Sequence, residues 1–297
     1  MIIDADGQVV WSAAAPASCS RAHMSYEGTD MWMIALNPLN ANGEMRRISM
    51  DGLDIQNNVN GFSKAHHDFT VLPGGIVAAL VWSSSGSDPQ SDVLERSADG
   101  TIKTALHVGS NLYAGGASVV GGGSNSYHAN TIIYYPSDDS YTIGDRNPSV
   151  FVKVTRGGKP VWQFGGSCTN APAPKCASGS WTSNHGHHLF EDGTFLFFNN
   201  GTYMSFSTPS KVFEFKLNTS GSTMSASQSK SYQSSSNSHS DTLGDVQRLP
   251  NGNTLVTFSN NGLIQELDSS WNVVQSLSAS SFGYADWRET LYGDPPR

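Results

Sequence analysis

The sequence predicts an all-β chain: a single-domain, six-bladed β-propeller over residues 1–297, with four-stranded antiparallel blades and both chain ends closing one blade. Three observations predict it. A double hairpin recurs along the chain, the composition suits tight turns better than helices, and histidines recur in one slot of the hairpin pattern.

The repeat comes first because it sets the architecture. One hairpin unit is an apolar strand, a polar turn and a second apolar strand. It occurs at Met45–Ile55 around Asp51-Gly52, at Val93–Ile102 around Asp99-Gly100, at Val150–Trp162 around Gly157-Gly158 and at Ile3–Trp11 around Asp6-Gly7. Looser copies run through Val212–Asn218 and Ile264–Val274. Asp-Gly and related pairs between alternating strands are strong hairpin signals. A second unit alternates with the first: His67–Leu80 turning at Gly74-Gly75, His185–Phe198 at Asp192-Gly193 and Asp245–Phe258 at Asn251-Gly252. A further copy starts at His128 and turns at Asp138-Asp139, and a shorter one starts at His23.

Two hairpins in series make one four-stranded blade. Whole blades are expected near 22–56, 66–106, 128–163, 185–222 and 244–276, with a sixth shared between Ile3–Trp11 and Ser281–Tyr292. Joining the ends in one blade would leave no free sheet edge. The Ser-rich stretch from Thr219 to Ser240 reads as a long surface loop or a lid, with His239 at its end.

Composition agrees. Hydrophobic residues are 37% and charged residues 14%, with 30 glycines. The net charge is −8, with 17 Lys and Arg against 25 Asp and Glu and no basic run, so no phosphate backbone is tracked and nucleic acid is not an expected partner. No stretch reaches the roughly 18 apolar residues of a membrane helix. Cys168 and Cys176 lie in a Pro-rich loop and are expected to form a disulfide, which fits a secreted or periplasmic protein. Cys19 has no assigned role. The chain opens inside a strand-like segment, Met1–Asp4, without a visible secretory signal, as a trimmed N-terminus would.

The histidines carry the functional expectation. His67 and His185 each stand eight positions before the turn glycines Gly75 and Gly193, and His128 opens its hairpin equivalently. The first strand of a blade lines the propeller channel, so His67, His128 and His185 should converge on the axis. His239, just before the fifth hairpin, is expected with them. His66, His187 and His188 should face other sides, because strand side chains alternate. Asn130 shares the face of His128; Asp145-Arg146 ends that hairpin, and Asn199-Asn200-Gly201 ends the His185 hairpin, with Tyr203 beyond. Asp68 and Asp245 occupy one slot and read as packing or turn residues.

Such a cluster supports two chemistries. Neutral imidazole is a nucleophile and an acid–base group near neutral pH. Alternatively His67, His128, His185 and His239 could hold a divalent metal such as zinc or manganese, in a propeller hydrolase or a polysaccharide lyase. A non-catalytic carbohydrate or protein binder is the third possibility.

The order of these motifs resembles the bacterial arylsulfotransferase family. His128-Ala-Asn130, then Asp138-Asp139, then Asp145-Arg146 is similar to that family's His-x-Asn strand, acidic turn and following Arg. Asn184-His185-Gly186 through Asp192-Gly193 to Asn199-Asn200-Gly201, and Leu249-Pro-Asn-Gly-Asn253, are similar to two further stretches, as is Gly283–Arg288. Ser210-Lys211 stands where the family often carries Ser-Arg; Lys keeps the charge without the bidentate fork. The resemblance covers roughly 60–297. It implies a six-bladed propeller outside the cytoplasm that moves a sulfuryl group from an aryl sulfate to a phenol with no cofactor. It implies a transiently sulfated channel histidine, with His239 the first candidate and His185 the second. His128, His67 and Arg146 complete the catalytic set, and Asn130, Asn200, Lys211 and Tyr203 the substrate contacts.

Overall fold

The computed structural model describes residues 1–37, 43–83, 91–114, 127–202, 205, 207–236, 238–288 and 290–291. Two short strands, β1 (Ile2–Ile3) and β2 (Val9–Trp11), pair with each other. Five antiparallel sheets follow in chain order. The first is β3 (Cys19–Met24), β4 (Asp30–Ala35), β5 (Met45–Ser49) and β6 (Ile55–Gln56). The second is β7 (Ala65–Leu72), β8 (Ile76–Trp82), β9 (Ser91–Arg96) and β10 (Ile102–Val108). The third is β11 (Ala129–Tyr135), β12 (Ser140–Asp145), β13 (Val150–Thr155) and β14 (Pro160–Gly165), with the short β15 (Cys176–Ala177) added parallel to β14. The fourth is β16 (Asn184–Leu189), β17 (Thr194–Asn199), β18 (Lys211–Asn218) and β19 (Ser225–Tyr232). The fifth is β20 (Asp245–Arg248), β21 (Thr254–Phe258), β22 (Leu263–Leu267) and β23 (Val273–Ser278). The five blades fall where the repeat places them.

Each blade is a meander because its turns are short and carry residues that accept left-handed backbone. Gly193 is the clearest case. Its φ is +84°, and a Cβ there would sit 2.3 Å from the carbonyl oxygen of Leu217, so no other residue turns the chain here without moving the neighbouring strand.

The core lies between blades. Trp32, Ile34 and Met45 pack on Phe69, Val71 and Ala79. Leu80, Val93 and Val108 pack on Ile132, Ile143 and Val152. Phe151 and Phe164 meet Phe195 and Phe197, and Phe198 and Val212 meet Val256 and Phe258. Middle strands such as β8 and β17 are therefore apolar on both faces, which is why they read as near-continuous hydrophobic runs.

The seam between the fifth and first blades is different, and it corrects the expected count of six. The described part of 281–291 forms no strand. It runs as a strap: Phe282 N–H donates to Ser259 O, Ser259 Oγ to Gly283 O and Tyr284 N–H to Ser20 O. The Gln247 amide and the Trp287 backbone exchange two further hydrogen bonds. The β1–β2 pair packs on the first blade through Ile2 and Trp11, with Trp11 Nε1 donating to Met50 O. The chain ends thus meet the expected seam without building a blade in it.

Behind the strap Arg21 locks the seam. Its guanidinium lies 2.6 Å from Asp68, 2.9 Å from Asp245 and 2.9 Å from Asp286, with the Tyr284 ring 3.9 Å from its carbon. One buried cation ties the first blade to the second, the fifth and the strap. The shared Asp68/Asp245 slot is packing in this sense, through a salt-bridge hub.

One further expectation changes and another holds. The Ser-rich stretch is not a continuous loop, because β19 is an exposed fourth strand paired along β18. Its serines alternate on the outermost strand of a blade, where no apolar face is required. The Cys168–Cys176 disulfide is present as expected. No helix among the described residues is long and apolar enough to cross a membrane.

Candidate active site

The inner strands β7, β11 and β16 each carry a register irregularity near their starts. In β7 it falls between Ala65 and Phe69, and His67 has φ +56°. Left-handed backbone at one residue cancels the usual alternation of faces. His66 and His67, expected on opposite sides, therefore meet, with Nδ1 to Nδ1 at 2.8 Å. This corrects the expected orientation of His66.

From this pair a line of imidazoles extends across the blades. His67 Nε2 lies 3.1 Å from His128 Nε2, and His66 Nε2 lies 2.9 Å from Ser91 Oγ. The indole of Trp82 stacks on His66 at 3.9 Å, and its Nε1 donates to Asn37 O. Asp145 holds the start of β11 by accepting from His128 N–H at 2.8 Å, Asn147 N–H at 3.1 Å and the Tyr113 hydroxyl at 2.5 Å. Burial pushes its carboxyl up to about 6.

His185 enters from the fourth blade. Its Nδ1 lies 2.6 Å from Asn200 Oδ1. The Asn200 amide nitrogen donates to Ser240 O at 2.7 Å and Leu243 O at 2.8 Å. With both amide hydrogens spent, the Asn200 oxygen must accept, so His185 carries its proton on Nδ1 and its lone pair on Nε2. Neither His185 Nε2 nor His128 Nδ1 carries a hydrogen bond among the described residues.

The electrostatics favour uncharged imidazoles. Burial drives His66, His67 and His185 well below the ordinary histidine value and His128 down to about 3. The Arg146 positive charge adds to the depression at His67, His128 and His185. Arg146 follows directly from Asp145, and its N–H donates to His128 O.

The remaining candidates divide. The Asn130 amide donates to Asn184 O at 2.7 Å, fixing the residue before His185, and its Oδ1 is buried with no hydrogen-bond partner among the described residues. Asn200 holds His185. His239 stands with Nδ1 2.7 Å from Thr208 O and Nε2 2.7 Å from Asp241 Oδ1, so both ring nitrogens face acceptors. Lys211 opens β18 opposite Asn199. Tyr203 lies outside the described residues. His187 is wedged between Thr131 and Thr142, His188 accepts from Arg248 N–H, and His107 pairs with Asp92 on the surface. His23 pairs with Asp286 in the strap. Among the described residues no group of three or more His, Cys, Asp or Glu side chains is arranged to hold a metal ion.

His66 and Ser91 are the members that pattern reasoning missed. Nothing in the sequence marks the bulge that turns His66 inward, since a second histidine beside the first reads as the opposite face.

The fold recurs widely among solved structures. A streptogramin B lyase is 15% identical over 95% of this chain and 76% of its own, with a TM-score of 0.54. Virginiamycin B lyase from Staphylococcus aureus is 16% identical over 91% and 74%, with a TM-score of 0.52. The β-propeller domain of Cps50 (Swd1) from Myceliophteria thermophila is 10% identical over 91% and 90%, with a TM-score of 0.53. At such identity these likenesses show the propeller alone. No curated protein matches the sequence. The family model for arylsulfotransferase (ASST) matches residues 1–281, nearly the whole length, and the chain belongs to the arylsulfotransferase family.

Proposed function

We propose that this protein moves a sulfuryl group from an aryl sulfate to a phenol by double displacement, with His185 as nucleophile. The reading rests on family membership for the reaction class. One observation selects the residue: Asn200 commits the His185 proton to Nδ1, leaving a lone pair on Nε2. His239, the first candidate by sequence, has both ring nitrogens engaged, Nδ1 by Thr208 O and Nε2 by Asp241 Oδ1, so neither is open to a donor's sulfur.

In the first half-reaction His185 Nε2 attacks sulfur and the sulfur–aryl oxygen bond breaks. The bond's electrons stay on the aryl oxygen, which takes a proton from His128 Nδ1. N-sulfo-His185 and a free phenol result. In the second half a new phenol gives its proton to His128 Nδ1 as its oxygen attacks sulfur, and the sulfur–nitrogen bond breaks. Arg146 supplies positive charge to the sulfuryl oxygens as the transition state forms. Asn130 and Asn200 act here by placing His185. An extracytoplasmic location fits the Cys168–Cys176 disulfide.

The test is turnover of 4-nitrophenyl sulfate with added phenol. Release of 4-nitrophenol matched by phenyl sulfate supports transfer. Release matched by inorganic sulfate instead, or no release at all, contradicts it.

A further inference from the structure

We propose that His66, His67 and His128, ending on Ser91, form one proton-sharing chain, in which His66 is a positioning residue that takes up charge when His128 binds the catalytic proton. The inference rests on the sulfuryl-transfer reading and deepens it.

The geometry defines four proton positions. One lies between His66 Nε2 and Ser91 Oγ at 2.9 Å, one in the His66–His67 contact at 2.8 Å and one in the His67–His128 contact at 3.1 Å. The fourth is His128 Nδ1. Each nitrogen–nitrogen contact holds a single proton, because two would clash and none would leave two lone pairs opposed. A neutral chain of three imidazoles fills three positions. With His66 Nε2–H donating to Ser91, the empty position is His128 Nδ1, which is then a base. Filling it gives a chain with one positive charge, and sliding the two bridging protons moves that charge from His128 through His67 to His66.

The balance closes over both half-reactions. Burial keeps the resting chain neutral, so one proton from solvent must first load His128 Nδ1; the loaded chain gives that proton to the departing aryl oxygen and becomes neutral. The neutral chain takes the proton of the incoming phenol and regains the charge. Over the full cycle the proton count is unchanged, because the proton that departs with the first phenol is replaced by that of the second.

A plain packing role explains the line poorly. A buried histidine is ordinarily satisfied by a carbonyl or a carboxylate, yet His67 has imidazole on both nitrogens. The backbone accepts a left-handed residue at His67 to achieve this. Trp82, itself fixed by Asn37, holds the plane of His66. Arg146 and His185 are the charged and titratable neighbours that act on His67 and His128.

The test compares two donors. The leaving group of 4-nitrophenyl sulfate departs without a proton, whereas that of phenyl sulfate needs one. His66→Phe keeps a ring on Trp82 and removes both nitrogens. With the first release of phenol or 4-nitrophenol read in the absence of acceptor, it is expected to slow sulfuryl transfer from phenyl sulfate about a hundredfold while changing that from 4-nitrophenyl sulfate by less than about threefold. Ser91→Ala is expected to act in the same direction by about tenfold on phenyl sulfate. Equal losses with both donors, or no loss with either, overturn the proposal. If the unaltered protein uses neither donor, the transfer reading fails, and the chain is then judged by 15N-histidine NMR of the free protein. Ser91→Ala should shift the ring-nitrogen resonances of His128, two imidazoles away. Unmoved His128 resonances overturn the chain whatever the protein's activity.

Discussion

Asn200 holds His185 by accepting its Nδ1 proton at 2.6 Å while both of its own amide hydrogens go to the carbonyls of Ser240 and Leu243. The tautomer of the proposed nucleophile is therefore set by the backbone of the segment that follows His239, not by a carboxylate.

Asn200→Ala frees the imidazole to rotate and to carry its proton on either nitrogen. Transfer should fall roughly 10- to 100-fold, mainly in kcat, as when a residue that orients a reacting group is lost. Steady-state kinetics with 4-nitrophenyl sulfate check this. An unchanged kcat with a raised KM would instead make Asn200 a substrate contact.

Arg21→Met strands three carboxylates, those of Asp68, Asp245 and Asp286, in the seam between the fifth and first blades. Removing one partner from a buried ionic cluster costs roughly 3–5 kcal/mol. The denaturation midpoint should drop accordingly, and Arg21→Lys should restore little, because one ammonium lacks the guanidinium's spread of donors. A midpoint within error of the unaltered protein would show that the apolar seams alone carry the ring.

Stability should rise with pH between about 4 and 6.5, the range in which an unfolded chain sheds its histidine protons. Burial holds His128 and His187 at about 3, and His66, His67 and His185 well below their ordinary value. The unfolded chain binds more protons at these five sites, so their contribution is complete above the unfolded value and is lost as pH falls. Three carboxyls oppose them. Burial raises Asp68, lifts Asp145 to about 6 and Asp245 to about 7, and their contribution falls as pH rises over the same range. For Asp286 burial is outweighed by His23 and Arg21, which hold it at about 2, so it matters only in stronger acid. Five imidazoles against three carboxyls give the net sign. Urea midpoints at pH 5 and pH 7 check it, and His187→Gln, away from the catalytic line, should flatten the slope.

The propeller was legible because Asp-Gly, Asn-Gly and Gly-Gly turns recur at hairpin spacing and because β8 and β17 are apolar on both faces. The sixth blade was not. Ile3–Trp11 carries the hairpin signal, but its partner segment around Gly283–Arg288 is held by single contacts to Ser20, Gln247 and Arg21, which leave no periodic trace. The slot logic brought His67, His128 and His185 to one region. It failed at His66, because a left-handed residue at His67 reverses a face without changing composition. The hold of Asn200 on His185 was not legible either, since a hydrogen bond to carbonyls of a segment some forty residues on has no local signature.

The most direct measurement is where the sulfo group rests. Protein mixed with 4-nitrophenyl sulfate and no acceptor should be quenched, digested and mapped by mass spectrometry. The account predicts the added sulfo group on His185 in the unaltered protein and in His239→Gln, and none in His185→Gln. A sulfo group on His239, or on any residue of His185→Gln, would contradict it.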